Sequence, residues 1–241
     1  MPDIRAIFFD VDDTLYTTSR FAEQARRAAI AAMIDTGLAG DPDALYRELL
    51  EVIHEFSPNY PNHFDKLLLR LPPGSHSGLN PAVVIAAGVV AYHETKAREL
   101  TPFDGVLDVM TALARTDLIR GVITHGTTIK QAEKIVRLGI YRYLTPDAIF
   151  ISDQIGISKP NAKIYQRALD AVGVAPADAV YVGDNPIMDV DPPNDLGMVT
   201  VRHRWPGSKY ADAAGRTEPD FEIRAFAELL DVLRNRLGVK V

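Results

Sequence analysis

The chain contains short apolar runs, each of which stops at a polar residue. The first run, residues 4–9, is interrupted only by Arg5 and stops at Asp10. Similar runs occupy residues 121–124, 148–152, 179–182 and 198–201. Runs of this length without polar alternation are typical of strands buried on both faces of a parallel sheet. The sequence therefore predicts five short parallel strands.

Segments with helical spacing of apolar residues separate the later runs. The first of these segments has a predicted inward stripe formed by Ile129, Ala132, Ile135 and Val136. It ends at Gly139, and the next segment ends at Gly173, as many helices end at glycine. Strands that alternate with helices predict an α/β fold with a doubly wound, Rossmann-like parallel sheet. A last periodic segment, residues 226–237, predicts a terminal helix at one edge.

The long interval between the first and second runs is different, because its pattern is almost wholly helical. An Ala-rich helix is predicted over residues 21–34, and Asp41 and Asn80 each precede a proline, the pattern of an N-cap followed by N1. Residues 82–92 form an apolar run too short to cross a bilayer, and we interpret it as a buried helix. We therefore predict a helical cap subdomain, residues 17–100, inserted into a catalytic core formed by residues 1–16 and 101–241; a structureless loop of that length would be implausible.

Composition excludes several classes of function. A net charge of -6 without a basic stripe argues against nucleic acid as a partner. The absence of cysteine excludes a thiolate metal site and a cysteine nucleophile, so any metal must be held by oxygen or imidazole. No export signal and no membrane-spanning run is evident, which predicts a cytoplasmic protein.

Polar residues, four of them aspartates, collect where the predicted strands end. Because ligands bind beyond the carboxyl ends of the strands in open α/β sheets, these residues are expected to share one crevice. Four carboxylates there would repel one another unless a cation held them, and Mg²⁺ is the hard ion that prefers oxygen ligands. The residues concerned are Asp10, Asp12 and Thr14 after the first run, Thr124, His125 and Gly126 after the second, Lys159 after the third, and Asp184 and Asp189 after the fourth.

These motifs, in this order, resemble those of the haloacid dehalogenase-like (HAD) hydrolase superfamily. The resemblance covers essentially the whole chain, and the position of the helical insertion resembles the C1 cap of subfamily I. Three further stretches resemble an archaeal branch associated with glyceraldehyde-3-phosphate phosphatase: residues 59–64, 92–96 and 130–134.

The resemblance implies a role for each acid. Asp10 would attack phosphorus and form an aspartyl-phosphate, which water then hydrolyses. Asp12 would protonate the leaving alcohol and later take a proton from water, which requires one carboxyl to be neutral while its neighbour is ionised. Crowding beside Asp10 gives a reason for that difference. Lys159 and Mg²⁺ would offset the repulsion between the nucleophile and the phosphate dianion.

The resemblance also implies a metal shell and a phosphate site. Asp10, Asp184 and the backbone carbonyl of Asp12 would hold the metal, and Asp189 would either hold a metal-bound water or orient Lys159. Asp13 is given no role, because its side chain can simply cap the turn or face solvent. The phosphoryl oxygens would be bound by Thr14, Thr124, His125, Gly126 and Lys159.

Two points stay open at this stage. His125 replaces the family's usual Asn or Asp, and it can either donate to the substrate or satisfy the local backbone. In the cap, a Pro-bounded turn with Asn59, Tyr60, His63 and Lys66 can face the crevice or the surface.

The expected function is a Mg²⁺-dependent phosphatase acting on a small phosphorylated metabolite such as glyceraldehyde 3-phosphate. The alternatives are a phosphoglycolate phosphatase, a sugar phosphomutase, a 2-haloacid dehalogenase and a non-catalytic phosphate-binding protein. A dehalogenase needs neither a metal nor a second acid such as Asp12, which argues against that activity. A monomer and a homodimer are both compatible with the sequence.

Overall fold

The chain divides into two compact units, Met1–Thr17 with Thr101–Val241 and Thr18–Leu100. The structure, a computed structural model, describes residues 3–58 and 60–241, with the backbone alone at residues 19–21. Asn59 and the side chain of Phe21 therefore lie outside the described residues. The two units are described separately.

A six-stranded sheet forms the centre of the first unit, and all its paired strands are parallel. Its spatial order is β3-β2-β1-β4-β5-β6, which confirms the predicted α/β fold. A sixth strand is present where five were expected; the last one has only three residues, too few for a clear periodic signal. The strands are β1 (Ala6–Phe9), β2 (Ile119–Thr124), β3 (Ile149–Ile151), β4 (Ala179–Gly183), β5 (Val199–His203) and β6 (Phe221–Ile223).

The first strand lies in the middle of the sheet and is fully buried. Phe8 lies opposite Gly121 on one side and Tyr181 on the other. A side chain at Gly121 would come within 2.5 Å of the Phe8 ring, so the glycine makes room for that ring. Because β1 pairs with β2 on one side and β4 on the other, the strand order reverses at β1. In open α/β sheets, ligands bind beyond the carboxyl ends of the strands at such a point.

Helices make up the second unit. Asp41 and Asn80 cap two of these helices through their side chains, as predicted, and proline follows each cap. The apolar side chains of the helices form one cluster that includes Met33, Leu49 and Phe64. The helices are α1 (Thr18–Asp35), α2 (Pro42–Phe56), α3 (His63–Arg70) and α4 (Pro81–Glu99), with a 3-10 turn at Pro73–His76.

The prediction of a buried helix over residues 82–92 is wrong in part. α4 does cover these residues, but Val83 and Val90 are 57% and 54% exposed. Only one side of the helix, including Val84 and Gly88, is buried. In a unit made of a few helices each helix buries a single face, so an apolar run is not sufficient to predict full burial.

The helices of the first unit pack on the sheet. α5 to α10 are joined to the strands by short connections, and 3-10 or π turns occur at Tyr141–Tyr143, Pro176–Asp178, Pro186–Val190 and Val232–Arg236. The predicted terminal helix is present over residues 228–236, with its second half in π-helical geometry. The helices are α5 (Val106–Leu113), α6 (Thr128–Arg137), α7 (Ser152–Ile155), α8 (Lys163–Val172), α9 (Asp191–Leu196) and α10 (Glu228–Asp231).

The predicted inward stripe of α6 is also wrong in part. Ile129 and Val136 are 78% and 65% exposed, whereas Gln131 and Ile135 are buried. The helix is therefore rotated relative to the expectation, with a polar residue on its inner face. The partners of Gln131 at the carboxyl edge of the sheet, given below, account for this rotation.

Among the described residues, no helix is long and apolar enough to cross a membrane.

Candidate active site

Lys159 lies at the centre of a buried polar cluster at the carboxyl edge of the sheet. Its Nζ donates to Asp10 Oδ1 at 2.7 Å, to Asp189 Oδ1 at 2.7 Å and to the Tyr181 hydroxyl at 2.8 Å. The side chain is 2% exposed, and so is that of Asp189, while that of Asp10 is 9% exposed. A buried cation and two buried carboxylates carry a net negative charge when both carboxylates are ionised.

The Tyr181 hydroxyl is a fourth member of this cluster, and the sequence analysis missed it. Tyr181 lies inside β4, where the sequence pattern predicts only a buried apolar side chain. Its hydroxyl, however, donates to the Ile123 carbonyl at 2.8 Å and accepts a hydrogen bond from Lys159. A buried tyrosine hydroxyl needs a polar partner, and this requirement was the one feature of the sequence that could have indicated a role for Tyr181 in the site.

Burial and charge shift the pKa values of these groups. Burial lowers the pKa of Lys159, but the facing charges of Asp10 and Asp189 more than offset this, so its pKa lies above the ordinary value. Burial raises the pKa of Asp10 to about 7 despite the attraction of Lys159, and the charges of Asp189 and Asp12 act in the same direction as burial. Lys159 is therefore a permanent cation beside Asp10.

Asp184 follows β4 directly and has the least compensated carboxyl of the site. It is 2% exposed, and its Oδ2 has no hydrogen-bond partner among the described residues. Burial, together with the charges of Asp189 and Asp10, raises its pKa to about 9. Such an oxygen requires either a proton or a cation.

A cation would fit this position. One carboxylate oxygen from each of Asp10, Asp184 and Asp189 lies within 4.8 Å of the others. Three buried carboxylates with one orphaned oxygen are a donor set suited to a hard divalent ion. Asp189 reaches the cluster because Gly183 has no side chain: a Cβ there would lie 2.3 Å from Asp189 Cβ.

The carboxylate of Asp12 points to a different set of partners. Lys134 Nζ donates to both of its oxygens at 2.7 Å, Gln131 Nε2 donates to Oδ2 at 2.9 Å, and the Tyr16 hydroxyl donates to Oδ1. Burial opposes ionisation, but Lys134 and these hydrogen bonds lower the pKa of Asp12 overall. We expected Asp12 to be the neutral acid and Asp10 the ionised one. The pKa values are in the opposite order, because Lys134 stabilises the Asp12 anion while burial disfavours the Asp10 anion.

The backbone after β2 lies next to the same glutamine. Gln131 Nε2 donates to the His125 carbonyl at 2.7 Å, and Thr124 Oγ1 lies 3.5 Å from Gln131 Oε1. Gly126 has φ +143°, and a Cβ at this position would lie 2.4 Å from Gln131 Nε2. Only glycine adopts this backbone conformation readily, and only glycine leaves room for the Gln131 side chain. The His125 ring contacts Ser158 Oγ at 2.6 Å, a side-chain partner that neither earlier interpretation contained.

The residues after Asp12 are buried, which corrects the expectation for Asp13. Its side chain is 0% exposed and pairs with Lys209 at 2.7 Å, while its backbone carbonyl accepts from Trp205 Nε1 at 2.7 Å. Thr14 is also fully buried, and its Oγ1 has no partner among the described residues. Its carbonyl accepts a hydrogen bond from His203. Asp13 was missed because Lys209 is distant in sequence.

The structure thus brings Asp10, Lys159, Asp184 and Asp189 into one cluster and places the Asp12 side chain beside it on Lys134. An acid at the exit of the central strand, a buried lysine and a carboxylate trio define a hydrolase-like site of the α/β class.

Comparison with known proteins agrees with this class. The model of the family described as haloacid dehalogenase-like hydrolase matches residues 4–197. This protein belongs to that family. A relative from Methanopyrus kandleri, named glyceraldehyde 3-phosphate phosphatase, is 46% identical over 237 residues, which cover 96% of this chain and 97% of that protein. A protein of the same name from Pyrococcus furiosus is 41% identical over 240 residues, which cover 99% and 96%.

Comparison with solved structures shows the same fold. The crystal structure of an HAD phosphatase from Thermococcus onnurineus matches with a TM-score of 0.66 at 22% identity, over 98% of this chain and 99% of that chain. At this identity the match concerns the fold alone.

Proposed function

We propose that this protein is a Mg²⁺-dependent phosphatase that hydrolyses a small phosphorylated metabolite, with glyceraldehyde 3-phosphate as the first candidate substrate. The observation that carries the proposal is the buried pair of Asp10 and Lys159 beside the unpartnered oxygen of Asp184. The candidate substrate comes from the relatives, which share 36–46% identity over nearly the whole chain and carry that name.

Asp10 is the proposed nucleophile. Its carboxylate oxygen bonds to phosphorus while the bond from phosphorus to the leaving-group oxygen breaks, which leaves an aspartyl-phosphate. Asp12, in its protonated form, gives a proton to that leaving oxygen. A water molecule then attacks phosphorus, Asp12 takes a proton from it, and inorganic phosphate and Asp10 are released.

Lys159 supplies fixed positive charge where negative charge collects. Asp189 and Tyr181 hold its ammonium within 2.7 to 2.8 Å, so it stays beside Asp10 throughout the reaction. Donors that are already oriented stabilise a transition state without reorganising. Thr14, Thr124, His125 and Gly126 complete the proposed phosphate site, with the backbone N–H groups after β2 as its donors.

Asp10, Asp184, Asp189 and the backbone carbonyl of Asp12 are the proposed ligands of Mg²⁺. When bound, the ion would act as a Lewis acid on the phosphoryl oxygens and neutralise the carboxylates. The division of the chain into two compact units supports the proposal that residues 1–16 and 101–241 form the catalytic core and residues 17–100 form the cap.

Replacement of the nucleophile tests the proposal. Purified protein with Mg²⁺ is expected to release inorganic phosphate from glyceraldehyde 3-phosphate and from p-nitrophenyl phosphate, and EDTA is expected to stop both reactions. Asp10→Asn should lower kcat by at least about a thousandfold, because no covalent intermediate can form.

The control is Asp108→Asn, which removes an exposed acid from α5 in the same unit. Retention of the wild-type rate by Asp10→Asn would contradict the proposal. Release of an isomerised sugar phosphate in place of inorganic phosphate would favour a phosphomutase.

A further inference from the structure

The imidazole ring of His125 lies at the carboxyl edge of the sheet, beside the groups proposed to carry the reaction. His125 follows β2 directly, and its backbone belongs to the proposed phosphate site. Gln131 Nε2 donates to the His125 carbonyl at 2.7 Å and to Asp12 Oδ2 at 2.9 Å, so one nitrogen atom joins this backbone to the acid proposed to serve the leaving group. The side chain of His125 itself is exposed and is not used by the proposed chemistry.

Ser158 fixes the orientation of this ring. His125 Nδ1 lies 2.6 Å from Ser158 Oγ, a hydrogen bond between residues 33 positions apart. Ser158 immediately precedes Lys159, whose ammonium contacts Asp10. One short segment therefore holds both the cation beside the proposed nucleophile and the ring of His125. Because the two ring nitrogens point in different directions, Nε2 is directed away from this segment.

The hydrogen bonds of Ser158 determine which ring nitrogen carries the proton. A serine hydroxyl has a single proton, and that of Ser158 donates to the Lys159 carbonyl at 3.2 Å. The Ser158 oxygen must then accept from the Nδ1–H group of His125. In a neutral imidazole with a protonated Nδ1, Nε2 is a hydrogen-bond acceptor. Among the residues that the structure describes, this Nε2 has no partner.

An acceptor at this place selects a hydrogen-bond donor on the substrate. A phosphate dianion, an aldehyde and a carboxylate offer only acceptor oxygens, so none of them can satisfy such a nitrogen. A hydroxyl group can. Because the backbone of the same residue is proposed to bind phosphate, the reach of one side chain limits this hydroxyl to a carbon close to the ester oxygen.

We propose that His125 Nε2 accepts a hydrogen bond from a hydroxyl group on the carbon next to the phosphate-bearing carbon, and that Ser158 is the positioning residue that orients the ring for this contact. The substrate class is then a phosphate monoester with a neighbouring hydroxyl group. The inference rests on the proposed phosphatase function and deepens it. His125 determines specificity, whereas Ser158 acts through His125 alone.

Two matched substrates test the contact. Glycerol 1-phosphate has a hydroxyl group on the carbon next to the phosphate-bearing carbon, and 1,3-propanediol phosphate lacks only that group. Both are assayed with Mg²⁺ at about pH 8, where imidazole groups are normally neutral. The wild type is expected to prefer glycerol 1-phosphate by about tenfold in kcat/KM, the value of one hydrogen bond. His125→Phe retains a ring without nitrogen, and its preference should fall to less than about twofold.

Further variants separate recognition from structure. His125→Gln retains an acceptor oxygen and should keep part of the preference. Ser158→Ala frees the ring and should lose part of it, whereas Ser158→Thr retains the hydroxyl and should keep it. In an Ser158→Ala background, His125→Phe should cause a smaller loss than in the wild type, because residues that act through one another are not additive. His54→Phe, the same change at an exposed histidine of α2, is the control and should behave as wild type.

The outcomes separate the two claims. If the wild type releases no phosphate from glyceraldehyde 3-phosphate, p-nitrophenyl phosphate or either matched substrate, the proposed function fails. If it hydrolyses both matched substrates equally well, or if His125→Phe loses the same factor on each, the specificity role is wrong and the function stands. The inhibition constant of inorganic phosphate should be the same in the wild type and in His125→Phe. A rise in that constant would overturn the inference, because the ring would then bind the phosphoryl group itself.

Discussion

At the scale of single residues, the loop after β1 is held by side chains from the end of β5 and from the stretch that follows it. Trp205 Nε1 donates to the Asp13 carbonyl, and His203 Nδ1 donates to the Thr14 carbonyl at 2.8 Å. Asp13 has φ +57°, a left-handed conformation that is unfavourable for a residue with a side chain. These hydrogen bonds and the ion pair with Lys209 stabilise it.

His203 predicts a dependence of stability on pH. Burial lowers its pKa and outweighs the opposing charge of Glu228 and the hydrogen bonds to the backbone of Thr14 and Arg224. Below about pH 6.5 the unfolded chain binds a proton that the folded His203 does not, so this residue makes the free energy of unfolding fall as pH falls. His203→Asn removes the titration, and its stability should approach that of the wild type as the pH falls.

Urea unfolding of both proteins between about pH 5 and pH 7.5 measures this effect. Asp10 and Asp184, whose raised pKa values act in the opposite direction, are present in both proteins and cancel in the difference. Stability curves that run parallel over this range would contradict the prediction.

At the scale of elements, the starts of α2 and α4 follow from local chemistry. The Asp41 side chain accepts from the Ala44 N–H at 2.9 Å, and the Asn80 side chain accepts from the Ala82 N–H at 3.0 Å. Each cap satisfies a backbone donor that the helix leaves free, and the following proline has no donor to satisfy. Such caps act within a few residues and are therefore readable from sequence.

Asp41→Ala tests the cap of α2. It is expected to lower the free energy of unfolding by about 1 kcal/mol, because the first-turn N–H loses its acceptor. Asp41→Asn retains an acceptor and should lose much less. Glu51→Ala, an exposed change within α2, is the control in the urea titration. Equal stability of Asp41→Ala and this control would show that the cap contributes nothing.

At the scale of the whole molecule, the buried carboxylates of the proposed metal site lower the stability of the folded protein when no metal is bound. Asp184 has a pKa raised to about 9, chiefly by burial, whereas the unfolded chain ionises it near its ordinary value. At neutral pH the unfolded state therefore binds fewer protons than the folded state, and the group destabilises the fold as pH rises. Buried groups that serve function are often costly to stability in this way.

Asp184→Asn should therefore stabilise the protein in EDTA, by about 1 kcal/mol or more, and abolish phosphate release. Mg²⁺ should raise the melting temperature of the wild type and leave that of the variant nearly unchanged, because a ligand that binds the folded state stabilises it. Thermal melts with and without Mg²⁺ measure both effects, with Asp108→Asn as control. A variant that is less stable than the wild type in EDTA would contradict this view.

The sequence by itself determined the α/β fold and the convergence of Asp10, Lys159, Asp184 and Asp189. Apolar runs predict buried strands, and parallel strands bring their carboxyl ends to one edge of the sheet. These are local patterns combined with a general rule of sheet geometry. The helix caps at Asp41 and Asn80 followed from local chemistry in the same way.

Only the tertiary structure decided which side chains meet. The rotation of α6 that buries Gln131, the pairing of Asp12 with Lys134 and of Asp13 with Lys209, and the Tyr181 hydroxyl beside Lys159 all join residues far apart in the chain. Periodicity placed Ile129 inward because it weighs apolar surface alone. A buried hydrogen-bonded network outweighed that preference, since polar groups without partners are costly inside a protein.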